Sequence, residues 1–295
     1  MKKIRVGSRE SALAMAQTKW VIDEIKKKYT HLEFEIIGIK TKGDRILDVK
    51  LDKIGGKGLF IKEIEKALIN KEIDFAVHSL KDMPAQLSDE LAISVLSKRE
   101  DPRDALITVS KLTLDKQKEG FVLGTSSVRR EVQIKAIRED VHFKTLRGNV
   151  NTRLNKLDKE EYDAIVLAAA GLHRLGLEEK IVQYFEIDKM IPSVGQGILA
   201  IQTRKDYDIE YLLKSVHCEK AALEARAERA FLKRVNGDCS TPMAAHAVIE
   251  GDNMKLYGML VHRGKVKRAF LEGSKYDSKK MGIELADILL ESGGE

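Results

Sequence analysis

The chain has 295 residues, 43% hydrophobic and 33% charged, the balance of an ordinary globular protein with room for two or three cores. The 52 Lys and Arg against 46 Asp and Glu leave a formal charge of +6, and the 5% of aromatic residues argue against base-stacking platforms for single-stranded nucleic acid. Cys218 and Cys239 form no Cys-x-x-Cys pair, and no apolar run approaches a membrane span, which argues against a disulfide framework, a cysteine zinc site and a spanning helix. Lys2, Lys3 and Arg5 are followed by no apolar leader, so the expected compartment is the cytoplasm.

Ile4 to Val6 reads as a strand that runs into Gly7-Ser8-Arg9. Leu13, Ala16, Trp20, Val21 and Ile25 then recur at helical spacing, as a buried face does. Leu32 to Ile36 alternates with the period of two that a half-buried strand requires. Thr41 to Gly58 is rich in Gly, Lys and Asp and has the length of a functional loop or lid. Phe60, Ile64, Ala67 and Leu68 predict a second helix, Ile73 to Leu80 an apolar strand stopped by Lys81-Asp82-Met83-Pro84, and Leu91 to Leu96 another strand. Asp101-Pro102-Arg103-Asp104 reads as a hinge or turn.

A second unit repeats the alternation. Val122-Leu123 leads into Gly124-Thr125-Ser126-Ser127 and a helix through Val132 and Ile137. His142 to Leu146 predicts a strand, Thr152 to Leu157 a helix, and Ala164 to Ala170 a buried strand. Alternating strands and helices imply mostly parallel sheets covered on both faces, with ligands beyond the carboxyl ends of the strands. Ile198 to Gln202 adds a strand and Glu219 to Val235 a long helix. Three strand-like stretches, 244–249, 256–261 and 266–271, and a helix over 280–290 then predict a small α+β domain.

The polar residues cluster in loops that follow strands. Asp82 reads either as a turn cap or as a carboxylate at a cleft, able to move a proton or stabilise a cation. His78 reads as a core histidine before it reads as a base. Arg9, Arg129, Arg130, Arg147, Arg153 and Arg174 arrive on different loops at strand ends, and Thr125-Ser126-Ser127 adds hydroxyl and amide donors at a helix start. Together they predict an anionic ligand and leave carboxylate and phosphate equally open. Gly55-Gly56-Lys57-Gly58 lacks phosphate-loop spacing, and Gly195-Gln196-Gly197 precedes a strand, the wrong context for a dinucleotide fingerprint. Cys239, in a polar turn, reads as a buried hydrophobe or as a nucleophile or attachment point, whereas Cys218 has no such setting.

The ordered series GSRESALA, TKGD, GGKGLF, AVHSLKDMP, REDPRDAL, GTSSVRR, LRGNVNTRL, YDAIVLAAAGLHRLG and IPSVGQG, followed by GDCSTP, is similar to the hydroxymethylbilane synthase (porphobilinogen deaminase) family. The resemblance implies two doubly wound α/β domains like those of type II periplasmic binding proteins, plus a small C-terminal α+β domain. Residues 1–98 with 197–216 would form the first, carrying the catalytic Asp and a mobile loop. Residues 103–191 would form the second, and residues 219–295 the third. It implies a transferase of porphyrin and heme biosynthesis, a cytoplasmic monomer that joins four porphobilinogen molecules with loss of ammonia and releases linear hydroxymethylbilane. The chain would grow on a dipyrromethane cofactor attached through a thioether to Cys239.

Asp82 matches the catalytic acid, which would assist departure of ammonia and stabilise the azafulvenium cation. Arg9, Lys81, Arg129, Arg130, Arg147, Arg153 and Arg174 match positions that bind acetate and propionate groups. Ser11, Asp44, Ser79, Thr125, Ser126, Ser127 and Gln196 match supporting polar positions, and Lys53 and Lys57 the mobile loop. No metal, membrane or nucleic acid is expected. The stretch Gly237-Asp238-Cys239-Ser240-Thr241-Pro242 departs from the family's usual Gly-Gly-Cys, and the charge of Asp238 beside the sulfur should raise the thiol pKa. A non-enzymatic two-domain binder of oxyanions is the competing expectation, and a dipyrrole mass on the protein separates the two.

Overall fold

A computed structural model describes residues 3–45, 61–237 and 241–291. In chain order the strands and helices used below begin with β1 (Ile4–Arg9), α1 (Ala12–Lys26), β2 (Phe34–Ile39), α2 (Lys62–Ile69), β3 (Phe75–Ser79) and β4 (Leu91–Leu96). There follow β5 (Asp104–Thr108), β6 (Val122–Gly124), α3 (Val128–Ile137), β7 (His142–Lys144), α4 (Val150–Asp158), β8 (Ala164–Ala168), α5 (Ala169–His173) and β9 (Gln183–Tyr184). The chain ends with β10 (Leu199–Arg204), α6 (Glu219–Val235), β11 (Met243–Glu250), β12 (Asn253–His262), β13 (Lys265–Ser274) and α7 (Ser278–Glu291). Two compact units result, residues 1–100 with 198–222, and residues 101–197 with 223–295.

The first unit is built on a five-stranded sheet of order β2-β1-β3-β10-β4. Alternation along β3 divides its core in two, as a strand covered on both faces must. Phe75 and Val77 pack with Val21, Ile22 and Ile25 of α1 and with Leu212, Leu213 and Val216. Ala76 faces the other way, with Ile64, Ala67 and Leu68 of α2. Trp20, expected on the buried face, is 38% exposed instead. The buried face of α1 runs through Gln17, Thr18, Val21, Ile22 and Ile25, and at about 100° per residue Trp20 lies to one side of it.

The second unit contains a matching sheet of order β7-β6-β8-β5-β9 and a three-stranded antiparallel meander, β11-β12-β13. Along β8, Ile165 and Leu167 pack with Leu154 and Leu157 of α4, while Ala164 and Val166 pack with Ile134 of α3 and Phe185. The meander is covered by α7: a side chain at Gly258 would run into Leu285 and Leu289. At Gly282 a side chain would strike the Ala227 carbonyl of α6, so only glycine permits the helices to approach so closely there.

Both α/β sheets are mostly parallel, each with one reversed strand. β1 pairs in parallel with β2 and β3, and β6 with β7 and β8, but β10 runs antiparallel to β3 and β4, and β5 to β8 and β9. The reversed strand in each sheet is the one supplied across a boundary between units. β5 opens residues 101–197, and β10 returns the chain to the first unit. β5 goes beyond the turn that Asp101 to Asp104 predicts: that turn is followed at once by a fully buried strand. The apolar run expected as strand through Ala170 ends at Ala168 and turns into α5. Among the described residues, no helix is long and apolar enough to cross a membrane.

Candidate functional site

In the first unit the parallel strands end together. Gly7 pairs with Ala76, so two residues further on Arg9 comes alongside His78. After β3 the chain forms a single 3-10 turn, Leu80–Asp82, whose apolar members hold it down. Leu80 and Met83 are buried, and the Leu80 amide donates to the Ile198 carbonyl at 2.9 Å and the Met83 amide to the Leu80 carbonyl at 3.0 Å. Lys81 and Asp82 between them remain half-exposed, so cation and carboxylate are offered side by side at a strand end. Ser79 and Gln17 of α1 exchange a side-chain hydrogen bond at 3.0 Å, and the Ser11 hydroxyl caps α1 by accepting from the Ala14 amide at 3.3 Å.

His78 is buried and shares a 3.1 Å hydrogen bond with the Gln202 side-chain oxygen, while the Gln202 amide donates to Glu65 at 2.9 Å. Burial, with the charge of Arg9 adding to it, pushes the imidazole down to about 4. It is neutral at physiological pH, within the electrostatic reach of Arg9.

In the second unit, β6, β7 and β8 likewise end at one edge, and antiparallel β5 begins there, with Asp104 opposite Ala168. Asp104 is fully buried. Arg129 donates to its Oδ2 at 2.7 Å, Arg130 to its Oδ1 at 2.8 and 3.0 Å, and Gln196 to its Oδ1 at 3.2 Å. The same guanidiniums reach the backbone: Arg129 donates to the Ile191 carbonyl and Arg130 to the Val166 carbonyl, each at 2.8 Å. Burial alone would raise the Asp104 carboxyl, but the charges of Arg129 and Arg130 outweigh it and hold the group well below the usual carboxylate range. Burial lowers Arg130 in turn, and Asp104 offsets part of that. The arginine pair is thus an internal ion cluster as well as a source of positive potential.

Three half-buried arginines lie in the same unit. Arg174 follows α5 and donates to the Gly197 carbonyl at 2.7 Å; Arg153, on α4, donates to the Gly148 carbonyl at 2.7 Å; Arg147 follows β7. The hydroxyls expected to meet a ligand also build the local backbone. Ser126 donates to the Leu146 carbonyl at 2.6 Å, Thr125 accepts from the Ser127 amide at 3.1 Å, and Ser127 caps α3 by accepting from the Arg130 amide at 3.4 Å. A donor set of several fixed cations with hydroxyls at a helix start suits a polycarboxylate such as a dipyrromethane, whose acetate and propionate groups need paired donors.

Cys239, Asp238, Lys53 and Lys57 lie outside the described residues, as does the side chain of Asp44. Cys218 is half-buried just before α6, its amide donating to the Leu96 carbonyl at 2.9 Å. Two buried acids carry no local signal in the sequence. Asp104 was hidden in an apparent turn, and Glu228 in an apparently ordinary helix. Glu228 is fully buried and accepts from the Gly195 amide at 2.6 Å and the Ala247 amide at 2.9 Å. The available signal for Asp104 was the adjacent pair Arg129-Arg130, which cannot enter a core without a counter-ion.

Comparison with known proteins gives consistent matches. The family described as porphobilinogen deaminase, dipyromethane cofactor binding domain, matches residues 4–210, and the porphobilinogen deaminase C-terminal domain matches residues 222–291. A porphobilinogen deaminase of Exiguobacterium sp. is 46% identical over 296 residues, covering 100% of this chain and 97% of its own. One from Bacillus velezensis is 48% identical over 299 residues, covering 100% of this chain and 95% of its own. Among solved structures, the periplasmic aliphatic sulphonate binding protein SsuA of Escherichia coli aligns over 80% of this chain and 71% of its own, at 13% identity and a TM-score of 0.41.

Proposed function

The chain belongs to the porphobilinogen deaminase family, and from that premise we propose that it condenses four porphobilinogen molecules, with loss of ammonia, on a dipyrromethane held as a thioether by Cys239, and releases hydroxymethylbilane by hydrolysis. It is a transferase whose family carries a dipyrromethane cofactor. The bound cofactor supplies the nucleophilic pyrrole end to which units are added; the rest is the work of this chain's residues.

Asp82 carries the proton chemistry. The observation that supports this is its turn: buried Leu80 and Met83 lock the backbone while Asp82 stays half-exposed beside Lys81 at the carboxyl edge of the first sheet. A protonated carboxyl there can deliver its proton to a departing amine, and the carboxylate this leaves faces the positive charge that develops as nitrogen leaves. Arg9, Lys81, Arg147, Arg153 and Arg174, with the Arg129-Arg130 pair, neutralise carboxylates that accumulate with each added pyrrole, and Ser11, Ser79, Thr125, Ser126, Ser127 and Gln196 fix the loops that carry them. Residues 1–98 with 197–216, 103–191 and 219–295 are the three working domains of this reading, which also includes a cytoplasmic, monomeric enzyme.

The test is intact-mass measurement of the purified protein with peptide mapping, beside an assay of ammonia release from porphobilinogen. The expected mass exceeds that of the sequence by one dipyrrole on the peptide containing Cys239. Cys239→Ser loses the adduct and Cys218→Ser keeps it. A dipyrrole on Cys218, or wild-type protein that releases no ammonia, overturns the proposal.

A further inference from the structure

We infer that Glu228, a buried acid of α6, is a positioning residue for the anion-binding arginine pair and acts through the Gly195-Gln196 turn. The inference rests on the function proposed above and extends it to a residue that no motif marks.

The path is continuous and lies within the second unit. Glu228 is fully buried, and its Oε2 accepts from the Gly195 amide at 2.6 Å while its Oε1 accepts from the Ala247 amide of β11 at 2.9 Å. His246 Nδ1 lies 3.5 Å from the same Oε1. One carboxylate therefore ties the turn before β10 to the C-terminal meander. Charge-assisted bonds to amides at such distances are among the stronger and more directional ones available.

The turn that Glu228 holds cannot wander. Gly195 and Gly197 have φ of +73° and +90°, which side-chain-bearing residues rarely adopt, and the Gln196 amide donates to the Ser193 carbonyl at 2.9 Å. Arg174 grips the far end through the Gly197 carbonyl at 2.7 Å. Gln196, at the apex, is 1% exposed and donates to the Pro102 carbonyl at 2.7 Å and to Asp104 Oδ1 at 3.2 Å. Asp104 in turn orients both Arg129 and Arg130. Without the carboxylate on Gly195, Gln196 loses its fixed approach to Asp104, and the guanidiniums lose one of the groups that set their orientation. A misplacement of this kind weakens the grip on a ligand carboxylate and leaves in place the chemistry assigned to a different residue, Asp82.

The experiment is a double-mutant cycle on the holoenzyme with Glu228→Gln, Gln196→Ala and their combination, reading KM and kcat for porphobilinogen and the melting temperature of each. Each single variant is expected to raise KM about tenfold with kcat within about threefold, and the double variant to add less than about twofold to Gln196→Ala. A lower melting temperature with unchanged KM in Glu228→Gln makes its role merely structural and overturns the inference. So do effects that multiply to about a hundredfold in the double variant, since Glu228 then acts independently of Gln196. If Glu228→Gln does not fold, Glu228→Asp, which keeps the charge and shortens the reach, carries the same comparison. Wild-type protein inactive on porphobilinogen overturns the proposed function together with this inference; active wild type with an unaltered Glu228→Gln overturns this inference alone.

Discussion

At the edge of the first sheet a carboxylate, Asp82, stands half-exposed on a turn whose apolar neighbours are buried. At the corresponding edge of the second sheet another, Asp104, is fully buried and grips Arg129 and Arg130 at 2.7 and 2.8 Å. Both acids sit at a strand terminus next to cationic residues, and in the sequence they look alike. Burial separates them. Asp104 is committed to its two guanidiniums and has no proton to exchange near neutrality, so its use is to fix where positive charge stands. Asp82 lies on a backbone just as firmly held but stays half-exposed. A buried charge array and a solvent-facing carboxyl are thus made from the same residue type by differing only in what covers it.

The contrast breaks most sharply in activity. Asp82→Asn should lower turnover about 100- to 10,000-fold, the range for losing a positioned acid or base, while folding stability moves by no more than about 0.5 kcal/mol. Steady-state rates and a melting curve, with intact mass to confirm retained cofactor, decide it. Near-normal turnover removes Asp82 from the chemistry. Asp104→Ala should do the reverse and act first on the fold. Two buried guanidiniums lose their counter-ion, a change that costs about 3–5 kcal/mol when one partner of a buried pair is removed. Urea unfolding measures it. A variant of wild-type stability would mean that Arg129 and Arg130 rest on their backbone carbonyls instead, and the distinction drawn between the two acids would fail.

Much of this was legible before any coordinates. Period-two and helical patterning located most strands and helices within a few residues, because half-buried elements must alternate or recur to bury one face. Arg147 in the turn after β7 and Arg153 on α4 stand where the predicted elements put them. What stayed hidden depended on long-range partners. Asp104 is 25 and 26 residues from the arginines it neutralises, and Glu228 is 33 residues from Gly195 and 19 from Ala247. No local pattern encodes such pairings. Trp20 departs from its expected burial for a related reason: size and apolarity favour the interior, but the neighbouring register of α1 fills the core.

Another feature of the first edge concerns pH. Burial there holds His78 neutral, its pKa lowered to about 4 from 6.5. A folded-state pKa below the unfolded one gives a contribution that is complete above about pH 6.5 and drains away as pH falls towards 4, where the unfolded chain binds a proton that the folded one refuses. A shift of that size amounts to about 3 kcal/mol. His78→Gln, which cannot protonate, should flatten the loss of stability between pH 6.5 and 4 relative to wild type. Parallel profiles for the two proteins would show that the imidazole is charged in the fold.

The smallest expected effect compares the caps. Ser127 caps α3, the helix that carries Arg129 and Arg130, and Ser11 caps α1 in the first unit. Ser127→Ala and Ser11→Ala should each cost about 1 kcal/mol, the usual loss when a helix start gives up its side-chain acceptor. Their functional consequences should differ. The amide freed in Ser127→Ala belongs to Arg130 itself, so fraying begins at the residue whose side chain the ion cluster must place, and KM for porphobilinogen should rise. In Ser11→Ala the freed amide is that of Ala14, a residue with no charge to misplace, and KM should rise less than in Ser127→Ala. Equal KM values in the two variants would show that Asp104 holds Arg130 without help from its own helix turn, and that the second edge draws its order from buried charge alone.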